Sequence, residues 1–293
     1  MKVIRWNPHT RLRVGSTLKL AYDTSRRVVR HVAGAAYELG IPKGTRGTEV
    51  GQLLTVAPRA GHTMLLANCS MCSVLSMTVH GASDMALVEY GGGGANVWRG
   101  VRVVRNESSR DLLASNADIF ESSGVERGPL VEQNEFAFNG DSCINLHNYF
   151  SVVLKAGGAA ADPRRVLVLD AVGAPDLAWT MRLNTFARVR PGDVVRVYDS
   201  TQTNLSLRLT TAVVGITEST AHDDLLLANR TLAALGLHTN TRAWVGVVRC
   251  YWITLRDALP GALATSRAFL NVDRLSGNGA VVRDNIFHCC GKP

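Results

Sequence analysis

Apolar residues along the chain fall mostly into short runs of four to seven positions, separated by Gly, Asn, Asp and Ser. Runs of this length that are rich in Val, Ile and Leu are typical of β-strands. Helix signals are scarce: residues 24–39 have a Ser/Thr start and a Gly stop, and residues 223–235 end before a glycine. The pattern therefore predicts a mainly β protein with two helices, one in each of these segments.

Four of the runs share one pattern, in which three or four mixed residues separate two apolar ones. They are residues 74–79, 97–103, 131–136 and 282–287, and the last two have the sequence V-x-x-N-x-F. A repeat of about 23 residues, widened in places by a loop, accounts for the starting positions of the first three and favours a parallel β-solenoid. A β-sandwich would also supply short strands, but it gives no reason for the repeated motif.

The pattern changes between the third and fourth of these segments, which begin at positions 131 and 282. Residues 165–170, 189–198 and 205–210 alternate polar and apolar positions with a period of two. That alternation predicts antiparallel strands with one face in water. We therefore expect an antiparallel β-barrel or sandwich that is inserted between two turns of the solenoid.

These differences divide the chain into four expected regions. We expect a β-rich region or entry cap at 1–56, parallel turns that carry the site at 57–150, the inserted barrel at 151–275 and a return to the solenoid at 276–293. A solenoid needs a cap where its last turn ends. Because the sequence stops directly after a solenoid segment, we expect a truncated or atypical one.

Composition excludes several classes of protein. Apolar residues make up 46% of the 293 positions, which rules out intrinsic disorder. No apolar stretch approaches the length of roughly 18 residues that a membrane-spanning helix needs, so none is expected. The first eight positions contain no apolar signal-peptide region. We therefore expect either an intracellular protein or a secreted or lysosomal one whose true N-terminus lies elsewhere.

The net charge of +8 (32 Lys and Arg against 24 Asp and Glu) raises the question of nucleic-acid binding. The basic residues are scattered, with no run of five or six, and aromatic residues are not interleaved with them. This distribution favours a basic solvated surface, which could still attract acidic glycans or membranes. We predict neither a nucleic-acid nor a membrane partner.

The six cysteines define neither a disulfide framework nor a zinc site. Cys69 and Cys72 form one C-x-x-C, but no second pair stands at zinc-finger spacing. Cys289 and Cys290 are adjacent, and the remaining two stand alone. Small buried apolar side chains are the favoured interpretation. We predict no metal and no cofactor.

The densest polar cluster lies between residues 116 and 149, where Asp118 and Asp141 are one turn of the expected solenoid apart. Equivalent positions on neighbouring parallel strands lie about 4.8 Å apart, so the two carboxyls should repel and one should hold its proton. A carboxylic acid beside a carboxylate can hydrolyse a glycosidic bond. His147 could tune the pair or bind a sugar hydroxyl. The alternative is that these are turn residues bonded to their own backbone.

Four segments around this cluster resemble the motifs of glycoside hydrolase family 110, the alpha-1,3-galactosidases. The segments are residues 88–94, 112–118, 124–129 and 140–147. In order and spacing they are similar to E-F-G-G-G-G, N-A-D-G-x-H, R-x-G-P and G-D-D-x-x-N-I-H-G. The resemblance is strongest over residues 60–150 and weaker over the barrel and over 280–290. It implies an all-β fold, a right-handed parallel β-helix with an inserted antiparallel β-barrel.

The resemblance also implies an activity and the residues that perform it. Asp118 matches the acidic residue of N-A-D, and Asp141 matches the first of the paired aspartates. The implied reaction is inverting hydrolysis of terminal alpha-linked galactose from a carbohydrate partner, with Asp141 as acid and Asp118 as base. The candidate substrate contacts or supports are Glu89, Asn116, Asn145 and His147.

The chain departs from the family motifs at four positions. Ser142 stands in place of the second aspartate, Ile119 and Glu121 replace the glycine and histidine after N-A-D, and Asn148 replaces a later glycine. Loss of a carboxylate could lower the rate about 10²–10⁴-fold, although Glu121 could compensate. An inactive glycan-binding or structural relative is therefore the main alternative. A lyase would need a calcium-binding acidic cluster and a basic proton abstractor, and neither stands out.

Overall fold

The computed structural model of the chain describes two sets of residues. Side chains and backbone are described for residues in the ranges 61–109, 111–148, 150–157, 162–170, 188–199, 206–231, 249–260 and 268–291. The backbone alone is described for residues 2–6, 18–19, 29–33, 36–39, 53–57, 171, 200, 205, 232–234 and 248.

The described N-terminal residues form five short strands. These are β1 (Lys2–Trp6), β2 (Leu18–Lys19), β3 (Val29–Ala33), β4 (Ala36–Leu39) and β5 (Leu53–Ala57). Strands β2, β1 and β5 form an antiparallel sheet in that order, and β3 pairs antiparallel with β4. The predicted helix over 24–39 is therefore wrong where the structure describes it. Val29 and Val32 are β-branched and Gly34 interrupts the segment, all of which disfavour a helix.

Three parallel sheets of four strands each follow. Their strands are β6 (Met64–Ala67), β7 (Ser73–Leu75), β8 (Thr78–Val79), β9 (Leu87–Tyr90), β10 (Val97–Arg99), β11 (Arg102–Val103), β12 (Phe120–Ser123), β13 (Leu130–Glu132), β14 (Glu135–Ala137), β15 (Ile144–His147), and, after the barrel, β22 (Val281–Arg283) and β23 (Ile286–His288). We call β6-β9-β12-β15 sheet I, β7-β10-β13-β22 sheet II and β8-β11-β14-β23 sheet III.

The interior of the parallel sheets is built from rows of apolar residues that lie level on neighbouring strands. In sheet II, Val74, Trp98 and Val131 form one such row, and all three are buried. Trp98 therefore occupies the position that the sequence pattern had assigned to Val97. The indole edge of Trp98 packs against the Phe120 ring, with 5.3 Å between ring centroids. Bulky side chains at the same level fill the space between sheets.

The two V-x-x-N-x-F segments lie side by side, as the repeated motif predicts. Val131 pairs with Val282 and Phe136 with Phe287, although the whole barrel separates them in sequence. The asparagines explain the motif, because the Asn285 side-chain oxygen accepts hydrogen bonds from the Asn134 backbone N–H (2.9 Å) and amide (3.0 Å). Each asparagine thereby satisfies backbone groups at the bend between sheets II and III.

Six antiparallel strands form a closed barrel in the order β16-β17-β20-β19-β18-β21. They are β16 (Ser151–Ala156), β17 (Arg165–Ala171), β18 (Val194–Ser200), β19 (Leu205–Ser219), β20 (Val248–Leu255) and β21 (Ala268–Val272). Alternate positions such as Val166, Val168, Val195 and Val197 point into the barrel core. The period of two in the sequence reflects this alternation.

One α-helix, α1 (His222–Ala234), packs on the barrel, and the predicted helix over 223–235 is confirmed. Asp223 and Asp224 lie in its first turn, where negative charge favours the helix dipole. No helix among the described residues has the length and apolar character needed to cross a bilayer.

The chain enters and leaves the barrel at adjacent points. Ser151 of β16 pairs with Leu270 of β21, so the first and last barrel strands are neighbours. The Asn148 side chain donates to the Val272 carbonyl (3.2 Å) and to the Ser276 hydroxyl (2.9 Å). These bonds tie the entering segment to the leaving one.

The fold class predicted from the sequence, a right-handed parallel β-helix or solenoid, is corrected by this topology. The described strands form three short parallel sheets, a closed antiparallel barrel and separate antiparallel N-terminal strands. The paired positions of sheet II are 74, 98, 131 and 282, and these unequal steps show that no fixed repeat length runs through the described strands. The chain is an all-β protein of parallel sheets and a closed antiparallel barrel.

A disulfide joins Cys143 to Cys290, so the interpretation of the cysteines as small buried apolar side chains is corrected for these two. Their Cα atoms are 5.6 Å apart although 147 residues separate them in sequence. Cys143 directly precedes β15, and Cys290 comes two residues after β23, the strand that pairs with β14. The other four cysteines are free thiols.

Arg274 links the barrel to the parallel sheets. Its guanidinium contacts Glu126, which lies between β12 and β13, and Nε donates to the Asp193 carboxylate at 2.7 Å. A second arginine, Arg188, donates to the carbonyls of Gly124 (2.7 Å) and Gly92 (3.0 Å). The barrel is therefore held against the ends of β9 and β12.

Candidate functional site

The outer face of sheet I carries a row of polar residues at its centre. Successive side chains of a strand point to opposite faces, and Leu87 and Phe120 of this sheet point into the interior. The positions that follow them, Val88 and Glu121, point outward and lie level with Asn145. Sheet I therefore presents Glu121 and Asn145 side by side.

Asp118 lies just before β12 and reaches across to the next strand. One carboxylate oxygen, Oδ1, accepts from the backbone N–H of Ser142 at 2.8 Å, and Oδ2 accepts from the Asn145 amide at 3.1 Å. The residue is only 6% exposed. Because both donors are N–H groups, both Asp118 oxygens act as acceptors, and the carboxyl group fixes the start of β15.

Asp118 and Asp141 are not at equivalent positions. Phe120 pairs with Ile144, and Ser115 pairs with Asn139. The same register places Asp118 level with Ser142, the residue that follows Asp141 in sequence. The expectation that the two aspartates stack directly is wrong, although Asp141 lies buried beside the peptide group that binds Asp118.

Glu121 forms an ion pair with His147 on the same face. His147 Nε2 lies 3.3 Å from Glu121 Oε1, with the histidine side chain 31% exposed and the glutamate 3%. Contact with Glu121 raises the pKa of His147 above its ordinary value against the opposing effect of burial, and the nearby Asp118 charge adds to the rise. The imidazole therefore stays protonated to a higher pH than in water.

Glu121 is the more deeply buried member of its ion pair with His147. Its Oε1 is buried, and the described contact of this oxygen is the 3.3 Å ion pair with His147 Nε2. Buried carboxylate oxygens ordinarily have a polar partner, and His147 supplies one here.

Two of the predicted site residues lie apart from this group. Glu89 sits on the inner face of sheet I and is 0% exposed. Its carboxyl accepts from Ser122 Oγ (2.6 Å), Asn96 Nδ2 (3.0 Å) and Trp98 Nε1 (3.0 Å). The Asn116 side-chain amide donates a hydrogen bond to the Ser83 carbonyl at 3.0 Å. The structure thus brings together Asp118, Asn145 and His147 of the predicted set, beside Asp141.

The glycine tract after β9 shapes the end of this face. Gly92 and Gly94 both have positive φ values, +74° and +65°. A Cβ at Gly92 would overlap the backbone of Cys69, and one at Gly94 would overlap the Arg127 carbonyl. Only glycine fits at these two positions, and the resulting tight path lets Arg188 reach the Gly92 carbonyl.

Two members of the site were not assigned to it by the sequence. Glu121 stood out only as a departure from a motif, and nothing in the sequence placed it beside His147. Arg188 lies 64 residues beyond its partner Gly124 and reaches sheet I only through the barrel. Burial lowers the pKa of Arg188, while Glu126 opposes the shift. The spacing of residues along the sequence predicts neither the contact of Glu121 with His147 nor that of Arg188 with Gly124.

Within the described residues no group of three His, Cys, Asp or Glu side chains is arranged to hold a metal ion. Comparison with protein-family models and with curated proteins gave no match, so the resemblance to glycoside hydrolase family 110 stays a prediction that rests on the motif residues.

Proposed function

We propose that the chain is a glycoside hydrolase that removes terminal alpha-linked galactose from glycans with inversion. The observation that carries the proposal is the buried group of Asp118, Glu121 and His147 on sheet I, with Asp141 beside it. Inverting hydrolysis needs one carboxyl that gives a proton and one carboxylate that takes a proton. Three carboxyl groups at or next to the neighbouring strands β12 and β15 supply this equipment.

In the proposed reaction Asp141 acts as the general acid. Its proton passes to the glycosidic oxygen as the bond between that oxygen and the anomeric carbon breaks. A water attacks the anomeric carbon from the opposite face. The Asp118 carboxylate, the predicted base, accepts the proton of this water. The match of Asp141 to the first of the paired aspartates in the family motif supports the assignment.

Asn145 and His147 are the proposed sugar contacts. Asn145 is fixed by its bond to Asp118 Oδ2, and His147 by its ion pair with Glu121. Both side chains are only partly buried and carry N–H donors, which suit the hydroxyl groups of a pyranose. Carbohydrate recognition would therefore use groups whose rotamers are already held by neighbours.

The first prediction tests the reaction and its acid. Purified protein should release galactose from an alpha-1,3-linked galactosyl oligosaccharide, and ¹H NMR should detect the β-anomer first. Asp141→Asn should lower kcat/KM about 10²–10⁴-fold, because the acid is lost. The exposed Asp284→Asn is the matched control and should leave the rate unchanged. Absence of galactose release from the wild-type protein between pH 4 and 8 would contradict the proposal.

One observation favours a second candidate, a glycan-binding protein without turnover. Both Asp118 oxygens already accept hydrogen bonds, which suits a structural role for that carboxyl group. This candidate predicts affinity for galactosylated glycans in isothermal titration calorimetry, unchanged by Asp141→Asn, together with no galactose release.

A further inference from the structure

We infer that Asn278 is a site of spontaneous modification, at which the backbone nitrogen of Gly279 displaces the side-chain amide and the asparagine becomes aspartate and isoaspartate. This reaction is independent of the proposed hydrolase activity. It is indicated by the different surroundings of the two Asn-Gly pairs in the sequence, at 139–140 and 278–279.

An Asn-Gly pair is the dipeptide in which this reaction meets the least steric resistance. Glycine has no Cβ and a wide choice of backbone angles, so its nitrogen can approach the preceding side chain. Whether such a pair reacts in a folded protein therefore depends on what holds the asparagine amide and the attacking nitrogen.

The first pair is buried and bonded at both of these groups. Asn139 is 1% exposed, and its side-chain amide donates to the carbonyls of Ala117 (3.1 Å) and Ser142 (2.6 Å). The nitrogen that would attack it, that of Gly140, donates to the Ser115 carbonyl at 2.9 Å. Ring closure here has to break these buried hydrogen bonds, which requires local unfolding.

The second pair lies at the surface, in the segment that leads from the barrel to β22. Asn278 and Gly279 are both exposed, and a Cβ built at Gly279 has no atom within 4 Å. The Gly279 backbone N–H donates no hydrogen bond to a described residue. The Asn278 amide donates to the Asp273 carbonyl at 3.2 Å, in an exposed contact. The attacking nitrogen is therefore unrestrained and the amide is open to water.

The reaction balances within the chain and with water as the co-reactant. The Gly279 nitrogen forms a bond to the side-chain carbonyl carbon of Asn278, and the bond from that carbon to its NH₂ group breaks. The NH₂ group takes the proton of the Gly279 nitrogen and leaves as ammonia, which closes a succinimide ring. Water then opens the ring at either carbonyl. Opening at the side-chain carbonyl gives aspartate, and opening at the main-chain carbonyl gives isoaspartate, whose main chain runs through the former side chain.

Isoaspartate adds one methylene to the main chain at a point where two segments are in close contact. The Asn278 carbonyl accepts from the Gly128 backbone N–H at 2.9 Å, and Val281 donates to the Pro129 carbonyl at 2.9 Å. A Cβ on Gly128 would overlap the backbone of residues 277–280. A longer main chain cannot keep both bonds in register, so we expect β22 to loosen from β13.

The second prediction compares the two pairs within one protein. The folded protein is incubated at mildly alkaline pH, and peptide mapping by mass spectrometry follows both sites. Asn278 should convert about 100-fold faster than Asn139 or more, because Asn139 reacts only from a locally opened state. In guanidinium chloride with reductant the two rates should agree within about threefold, since the fold no longer protects either pair.

Two results would overturn the inference. One is conversion of Asn139 as fast as that of Asn278 in the folded protein. The other is an Asn278 rate in the folded protein more than about tenfold below its rate in denaturant, which would show that the fold protects this pair as well.

Amide hydrogen exchange tests the structural consequence. Converted protein, isolated by ion exchange, should exchange the Val281 and Ile286 amides about tenfold faster than unreacted protein, because both amides bond across the loosened junction. Asn278→Asp is the matched control, since it brings the same charge without the extra methylene, and it should exchange like unreacted protein. Equal exchange in the isoaspartyl and unreacted proteins would overturn the predicted loosening of β22.

Discussion

Glu89 places a carboxyl group in the interior of the parallel sheets, where three side chains donate to it. Ser122 belongs to the next strand of sheet I, while Asn96 directly precedes β10 of sheet II and Trp98 lies on that strand. The carboxyl group therefore joins two sheets from within. A buried group with several acceptor bonds is costly to alter, since the donors lose their partner as well.

The third prediction concerns this residue. Glu89→Leu removes both carboxyl oxygens, so the Ser122, Asn96 and Trp98 donors all lose their acceptor. We expect a loss of about 1–3 kcal/mol in the free energy of unfolding, with the KM of the proposed galactoside hydrolysis unchanged in the remaining folded protein. Urea denaturation and initial-rate kinetics measure the two effects. A raised KM at full stability would instead make Glu89 a substrate contact.

At the scale of elements, sheet II is bound along its outer face by a row of alternating charges. Glu132 of β13 lies between Arg99 of β10 and Arg283 of β22, with Nε–O distances of 2.6 and 2.7 Å. Hydrogen bonds from Arg283 and then Arg99 lower the pKa of Glu132 below its ordinary value. This row fastens β22, which returns only after the barrel, to the strands that precede it.

The fourth prediction follows from the sign of that shift. A carboxyl whose folded pKa is depressed stabilises the protein above its ordinary value of about 4.5, and the stabilisation disappears as pH falls through the folded pKa. Glu132→Gln should therefore lower Tm at pH 7 and narrow its difference from wild type towards pH 2–3. Glu107→Gln, an exposed acid, is the control. A difference that is independent of pH would contradict this account.

At the scale of the whole molecule, the parallel sheets are completed by strands from both sides of the barrel. β22 and β23 extend sheets II and III only because the chain returns next to β13 and β14. The Cys143–Cys290 disulfide closes this return covalently over 147 residues. A cross-link that spans so long a loop removes much conformational freedom from the unfolded chain.

The fifth prediction tests that closure. The double variant Cys143→Ser, Cys290→Ser should lose about 2–5 kcal/mol in the free energy of unfolding. Maleimide labelling of the denatured wild-type protein should count four thiols before reduction and six after it. Labelling of all six cysteines without reductant would show that the disulfide is not formed.

Much of the local structure could be predicted from the sequence, because it depends on neighbouring residues. The alternation in 165–170 and the signals around 223–235 are local, and β17 and α1 lie there. Features set by register could not be predicted as well. Trp98 replaces Val97 in its row, and Asp141 lies off the level of Asp118, because the paired residues are 24 positions apart rather than the 23 that the sequence suggested.

The site shows the same division. Asp118, Asn145 and His147 were found because they lie within one short, motif-rich stretch. The Glu121–His147 pair depends on the register between β12 and β15, and Cys143–Cys290 on a return over 147 residues. A repeat length estimated from the sequence could not distinguish these partners from their neighbours. Contacts between distant segments are decided by tertiary packing rather than by local pattern.

The adjacent entry and exit of the barrel make it an interchangeable module. Ser151 pairs with Leu270, and Asn148 is hydrogen-bonded to Ser276. The two points at which the chain enters and leaves the barrel are therefore as close together as the ends of a short loop. A different domain with equally close termini could be grafted between these points without altering the register of β13 with β22. Such a protein can acquire new surroundings for its site while the strands that hold Asp118 and Glu121 stay as they are.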